Sequence, residues 1–154
     1  IMQLSANFTL DEMTKSQTAT RLSINNQPAK EEIENMRQLC VHILQPVRSS
    51  FAKPVTISSG YRSPELSEKI GSSSKSQHCK GMAADIEIMG VSNKELADWI
   101  HRSCNYDQLI LEFHDMEEPN SGWVHVSYQG EECRFQYLRA FKDENLKTRY
   151  IPCQ

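Results

Sequence analysis

Two hydrophobic periods divide this chain. From Ala29 to Phe51 the apolar residues Ile33, Met36, Cys40, Ile43, Val47 and Phe51 recur every three or four positions, which predicts a long helix with one stripe turned inward, kinked or ended near Pro46. Before it, Thr9-Leu10-Asp11-Glu12 has the spacing of a capping box and predicts a short first helix, and Asn25-Asn26-Gln27-Pro28 interrupts the pattern. Lys53 to Gly60 is a short β-branched run after a proline, and Ser63-Pro64 opens a small helix with Gly71 beyond its end. The stretch 71–76 is a polar loop. Ser92-Asn93 caps a further helix that carries Leu96, Ala97, Ile100 and Cys104 on one side.

The other segments have period two, so that residues i and i+2 share a face. Along Ala83 to Ile88, the residues Ala84, Ile86 and Ile88 point one way and Ala83, Asp85 and Glu87 the other. Along Gln108 to Phe113, Leu109, Leu111 and Phe113 form the apolar face, with Gln108, Ile110 and Glu112 opposite. Along Trp123 to Ser127, Val124 and Val126 oppose Trp123, His125 and Ser127. Three predicted strands therefore each offer a polar residue to one side of a sheet, a convergence that generic strands have no reason to produce.

Composition narrows the setting. A chain of 154 residues with 38% hydrophobic content can bury the core of one compact domain. A net charge of −3 without a basic cluster argues against nucleic acid or an anionic membrane as partner. No apolar run approaches the roughly 20 residues that span a bilayer, so membrane insertion is not expected. The start lacks the charged-then-apolar order of a secretory signal, so the expectation is synthesis in the cytoplasm without a signal peptide. Cys40, Cys79, Cys104, Cys133 and Cys153 are odd in number, scattered and free of any Cys-x-x-Cys pair, which reads as reduced thiols. A monomer is expected.

The chemistry concentrates in two segments, Ser76-Gln77-His78-Cys79-Lys80-Gly81-Met82-Ala83-Ala84-Asp85 and Gly122-Trp123-Val124-His125-Val126-Ser127. Together they offer two imidazoles and one carboxylate, His78, Asp85 and His125. A trio of that kind suits a catalytic Zn2+, which keeps a fourth position for a water whose pKa falls to about 7, whereas structural zinc is closed by four protein ligands, usually with cysteines. The fold expected is a small single α+β domain over 2–154, an antiparallel sheet with helices on one face and a zinc cleft on the other.

At these segments, and at Ser59-Gly60-Tyr61-Arg62-Ser63-Pro64 and Asp107-Gln108-Leu109-Ile110-Leu111-Glu112, the chain resembles the zinc D-alanyl-D-alanine carboxypeptidase and phage endolysin peptidases, whose superfamily includes the amino-terminal domain of hedgehog signalling proteins. The Asn7-Phe8-Thr9 start and Leu44-Gln45-Pro46-Val47-Arg48 are similar to the phage and prophage subgroup. The resemblance implies zinc ligands at His78, Asp85 and His125. It also implies hydrolysis of a peptide bond in the stem or cross-link of bacterial peptidoglycan, by a phage-encoded protein that acts on the wall after release from the cytoplasm. Those peptidases commonly place the catalytic glutamate three residues before the second histidine, where this chain has Gly122. In the hedgehog-like arrangement a glutamate instead ends the preceding strand after an aromatic-Asp motif, and Tyr106-Asp107 through Glu112 is similar to it, so Glu112 is the candidate base. Arg62, after a tight turn, is the candidate fork for an oxyanion or a terminal carboxylate. Gln77, Ser76, Ser127 and Asp107 are candidates to orient imidazoles or bind substrate.

Each assignment has a plainer competitor. Taken singly, His78, Asp85 and His125 would read as a structural histidine or a solvated aspartate, and only their combination favours ligation. Glu112 could be a strand-end carboxylate paired with lysine, Arg62 an ion pair supporting its turn, and Asp107 a strand cap. Cys79 adjoins His78 but points away in an extended chain, and His42, His101 and His114 read as surface or helix-face residues. Trp123 reads as core or cleft wall. The competing function is a zinc-bearing structural or binding module, such as a virion component, without turnover. A processing protease for ordinary L-peptides is weaker, because nothing in the chain builds a long peptide groove.

Overall fold

The computed structural model describes residues 2–154, and its architecture follows the two periods. A small hairpin, β1 (Gln3–Ser5) and β2 (Phe8–Thr9), leads into α1 (Leu10–Thr14), where Thr9 and Glu12 close the capping box expected from their spacing. A second short helix, α2 (Gln17–Arg21), begins at Ser16, whose hydroxyl accepts from Ala19 N–H. The long helix is divided into α3 (Lys30–Leu39), a π-helical turn over Cys40–Leu44, and α4 (Gln45–Phe51). In the wide turn Gln45 N–H reaches back to the Cys40 carbonyl, immediately before Pro46, which has no N–H to give. The helix therefore widens at the proline and continues to Phe51. Next come β3 (Thr56–Ser59), α5 (Pro64–Lys69) with Ser63 as its cap, β4 (Ala83–Glu87), α6 (Asn93–Ser103) with Ser92 as its cap, β5 (Gln108–Glu112) and β6 (Trp123–Ser127). The chain ends in β7 (Gln136–Lys142) and β8 (Thr148–Pro152).

Six strands form the main sheet in the order β3-β4-β6-β5-β7-β8. All neighbours are antiparallel except β5 and β7, which run parallel, so the sheet is mixed at this one junction. The parallel pair is possible because the chain crosses over after β6 rather than turning back by a tight hairpin. On the inner face Ala84, Ile86, Leu109, Leu111, Val124 and Val126 have no solvent exposure, and they share one core with Leu96, Ala97 and Ile100 of α6 and with Met36, Leu39, Ile43, Leu44 and Val47 of the long helix. Each Leu, Ile, Val or Met side chain buried there contributes about 1.5–3 kcal/mol relative to exposure. Phe113 departs from the alternation. Its φ of +55° ends β5, and its ring packs 5.5 Å from that of Trp123 instead of joining the core. Among the described residues no helix is long and apolar enough to cross a membrane.

Candidate metal centre

The sheet register assembles the site on the outer face. Asp85 on β4 lies directly opposite His125 on β6, so period-two alternation sends both side chains away from the core. His78 arrives from a single 3-10 turn, Gln77–Lys80, which Ser76 caps through its hydroxyl on His78 N–H. Asp85 Oδ1 lies 3.1 Å from His125 Nδ1 and 3.4 Å from His78 Nε2. All three ligand atoms lie within 4.8 Å of one another. Tetrahedral zinc with bonds of about 2.0–2.1 Å separates neighbouring ligand atoms by about 3.3 Å, so the spacing suits one small divalent ion.

The surroundings of the trio fit the same ion. His78 Nδ1 lies 2.8 Å from the Gly60 carbonyl, which, as acceptor, places the proton on Nδ1 and leaves Nε2 free for the trio. That carbonyl is in reach because Gly60 has no side chain, since an added Cβ would overlap the Met13 carbonyl. Burial tends to raise the Asp85 carboxyl, but hydrogen bonds and charge from His125 and His78 overcome it and keep the group well below the usual carboxylate range. A carboxylate stabilised as the anion between two imidazoles is the donor set that Zn2+ uses, together with one coordination position not filled by protein.

The trio lies in a cleft of about 310 Å³ that Arg62, Ser76, Ile110, Glu112, Trp123 and Tyr150 also border. Glu112 is outside the ligand cluster. It lies opposite Trp123 in the register, and Trp123 Nε1 donates to its Oε2 over 2.8 Å. Burial and then the Asp85 charge push the Glu112 carboxyl above its ordinary value, against weaker opposition from His125, Trp123 and Arg62. Gly122 cannot supply a base in its place: its φ is +69° and an added Cβ would collide with the Glu112 carbonyl. Arg62 borders the cleft, and its buried Nε has no hydrogen-bond partner among the described residues.

The remaining sequence candidates separate. Gln77 Nε2 donates to Asp107 Oδ2 over 2.8 Å, and Asp107 is fully buried in a two-pronged pair with Arg134, at 2.9 Å from Nε and 2.8 Å from NH2. Arg134 first, with help from Gln77, holds the Asp107 carboxyl down at about 2 despite burial. These two residues brace the turn that carries His78 rather than reaching into the cleft. Ser127 is also buried, and its hydroxyl accepts from Gln108 N–H at the start of β5, so the structure does not bring it to the trio. His42 stacks on Tyr128, His101 bonds the Tyr106 hydroxyl, and His114 lies against the Ser121 carbonyl.

Tyr150 is a cleft residue that sequence reasoning did not single out. Register explains its place: Trp123, Glu112, Ala140 and Tyr150 occupy one row across β6, β5, β7 and β8. Ala140 is small, so the Tyr150 ring stands beside Glu112, and burial first and the Glu112 charge second push its phenol up and keep it a donor. No local motif marks Tyr150, because its row depends on the parallel β5–β7 pairing.

With this geometry in view, residues 6–127 match the family model described as Peptidase M15. The chain belongs to the peptidase M15 family. A search of curated proteins returns no match. M15 peptidases are zinc-dependent metallopeptidases that act on peptide substrates, and the His78–Asp85–His125 cluster supplies a place for such a metal. The match ends at the last residue of β6, so the hairpin of β7 and β8 that brings Tyr150 lies beyond it.

Proposed function

We propose that this M15 peptidase hydrolyses peptide bonds in bacterial peptidoglycan, as a D-Ala-D-Ala carboxypeptidase or an L,D- or D,D-endopeptidase of the phage endolysin kind. The observation that carries the reading is Glu112 beside a three-ligand metal site but outside it, in a cleft bordered by an arginine whose buried Nε has no hydrogen-bond partner among the described residues. His78, Asp85 and His125 would hold the Zn2+. When bound, the ion supplies Lewis acidity that activates water and polarises the scissile carbonyl. Glu112, kept less acidic by its surroundings and oriented by Trp123, accepts the proton of the attacking water and returns it to the departing amine. Arg62 stabilises the negative charge that develops on the carbonyl oxygen. Ser76, Gln77 and Asp107 set the position of His78.

The peptidoglycan substrate is supported by the resemblance of the Ser59–Pro64, Ser76–Asp85 and Trp123–Ser127 segments to cell-wall peptidases. The setting that goes with it is a phage-encoded protein that reaches the wall after release from the cytoplasm. Mass spectrometry of purified muropeptides incubated with zinc-loaded protein tests the reading. New fragments, absent with Glu112→Gln, are expected, and their masses name the bond. Intact muropeptides with zinc bound would favour a binding module without turnover, and cleavage of casein instead would favour a general protease.

A further inference from the structure

The hairpin of β7 and β8 lies outside the matched residues 6–127, yet it brings Tyr150 to the cleft in which the trio lies. Register pairs from Leu138↔Pro152 to Lys142↔Thr148 fix β8 on β7, and Asp143 braces the turn between them. Its Oδ1 accepts from the Asn145 and Lys147 N–H groups, and its Oδ2 accepts from Arg149 Nε over 2.7 Å. Alternation sends Arg149 to one face of the hairpin and Tyr150 to the other, over the cleft. Among the described residues, the side-chain hydrogen bonds of β8 are those of Thr148, with Lys142, and Arg149, with Asp143, and the Tyr150 hydroxyl has none. The ring is held by a regular strand while its donor stays free. Between Tyr150 and Glu112 the row carries only the methyl group of Ala140, across two strand spacings of about 4.8 Å each.

We propose that Tyr150 is a substrate-binding residue whose phenol donates to an acyl oxygen of the residue that carries the leaving amine, an inference that rests on the peptidase reading. Glu112 gives the direction. To return a proton to the departing amine it lies within hydrogen-bond reach of that nitrogen. The acyl carbon of the same residue is only two bonds further on. On one side of Glu112 the row is closed by Trp123, whose indole N–H is already bonded to Oε2. On the other side the row runs over Ala140 to the free hydroxyl of Tyr150. A neutral donor suits this place, because a lysine or arginine beside Glu112 would pair with the carboxylate and make it a weaker base. The acceptor is the terminal carboxylate of an exopeptidase substrate or the onward carbonyl of an endopeptidase substrate, and a phenol bonds either oxygen.

The test compares zinc-loaded wild type and Tyr150→Phe on three muropeptides identical up to the scissile bond, in which the leaving residue ends as a carboxylate, ends as an amide, or has hydrogen in place of its acyl group. Tyr150→Phe is expected to lower kcat/KM about five- to tenfold, mainly through KM, on an acyl-bearing substrate. It should leave the third substrate unchanged, because the contact is already missing there. A purely structural role would penalise all three alike. Equal penalties on all three, or none on any, would therefore overturn the contact. A penalty confined to the acid would support it with the terminal carboxylate as acceptor, and one confined to the amide would support it with the onward carbonyl. Calorimetric titration of zinc-loaded Glu112→Gln with the same peptides, with and without Tyr150→Phe, reads the contact without turnover. About five- to tenfold weaker binding of the acyl-bearing peptides is expected, and equal binding would overturn the contact. That loss of affinity, with none of the three peptides cleaved by wild type, would support the contact and overturn the peptidase reading.

Discussion

The two faces of β4, β6 and β5 differ by one residue in register and by everything in chemistry. Inward, Ala84, Ile86, Leu109, Leu111, Val124 and Val126 are fully buried hydrocarbon; outward, Asp85, His125 and Glu112 border an open cleft. The contrast teaches that the strands separate stability from reactivity without separating them in sequence. Substitutions on alternate residues of one strand should therefore fail in different ways.

The largest effect is expected outside. Glu112→Gln should lower kcat by about 10²–10⁴-fold, the usual contribution of a positioned base, while zinc stoichiometry and thermal midpoint stay near wild type. Steady-state assays with metal analysis check it. Next, on the inner face, Ile86→Ala should cost about 2–5 kcal/mol of stability by leaving a cavity, read from denaturant unfolding, with zinc still bound by the folded fraction. If Ile86→Ala instead abolished zinc binding at unchanged stability, the separation of faces would be wrong. Gly122→Ala should lose about 1–3 kcal/mol, because a Cβ has no room against the Glu112 carbonyl and φ is positive there. Its activity loss should exceed that of Ile86→Ala at equal stability, since the displaced strand end carries Glu112.

Smaller effects sharpen the boundary. Tyr150→Phe should reduce kcat/KM by about five- to tenfold, the value of one hydrogen bond to substrate, and leave stability unchanged because the ring is half-exposed. Equal kinetics would make Tyr150 a wall only. Asp107 supplies the pH dependence. Its folded value of about 2 lies below the ordinary value near 3.9, so its contribution to stability is present above pH 4 and lost as pH falls towards 2. Asp107→Asn should be less stable at neutral pH and flatter over that acid range, as acid unfolding followed by circular dichroism would show.

Much of this contrast was legible in the sequence, because period two is local. The alternation in Ala83–Ile88 and Trp123–Ser127 placed Asp85 and His125 outward, and the capping residues Thr9, Ser63 and Ser92 marked helix starts that the structure retains. What escaped depended on pairing between distant segments. The parallel β5–β7 ladder, and with it Tyr150, has no local signature. The burial of Ser127 follows from its bond to Gln108 N–H across β5, and alternation alone put it on the same face as His125. Pro46 signalled a disturbance, but whether the helix ends or widens depends on the carbonyls around Cys40. Phe113 left its face because the strand turns at a positive φ that its side chain does not announce.

We propose that a single zinc binds on the outer face, held by His78, Asp85 and His125, with Glu112 beside it and unbound. An anomalous difference map at the zinc edge, from crystals of the zinc-loaded protein, tests it most directly. One peak per chain is expected, within bonding distance of His78 Nε2, Asp85 Oδ1 and His125 Nδ1, and retained in Glu112→Gln. A peak bonded to the Glu112 carboxylate, or one centred elsewhere in the chain, would contradict it.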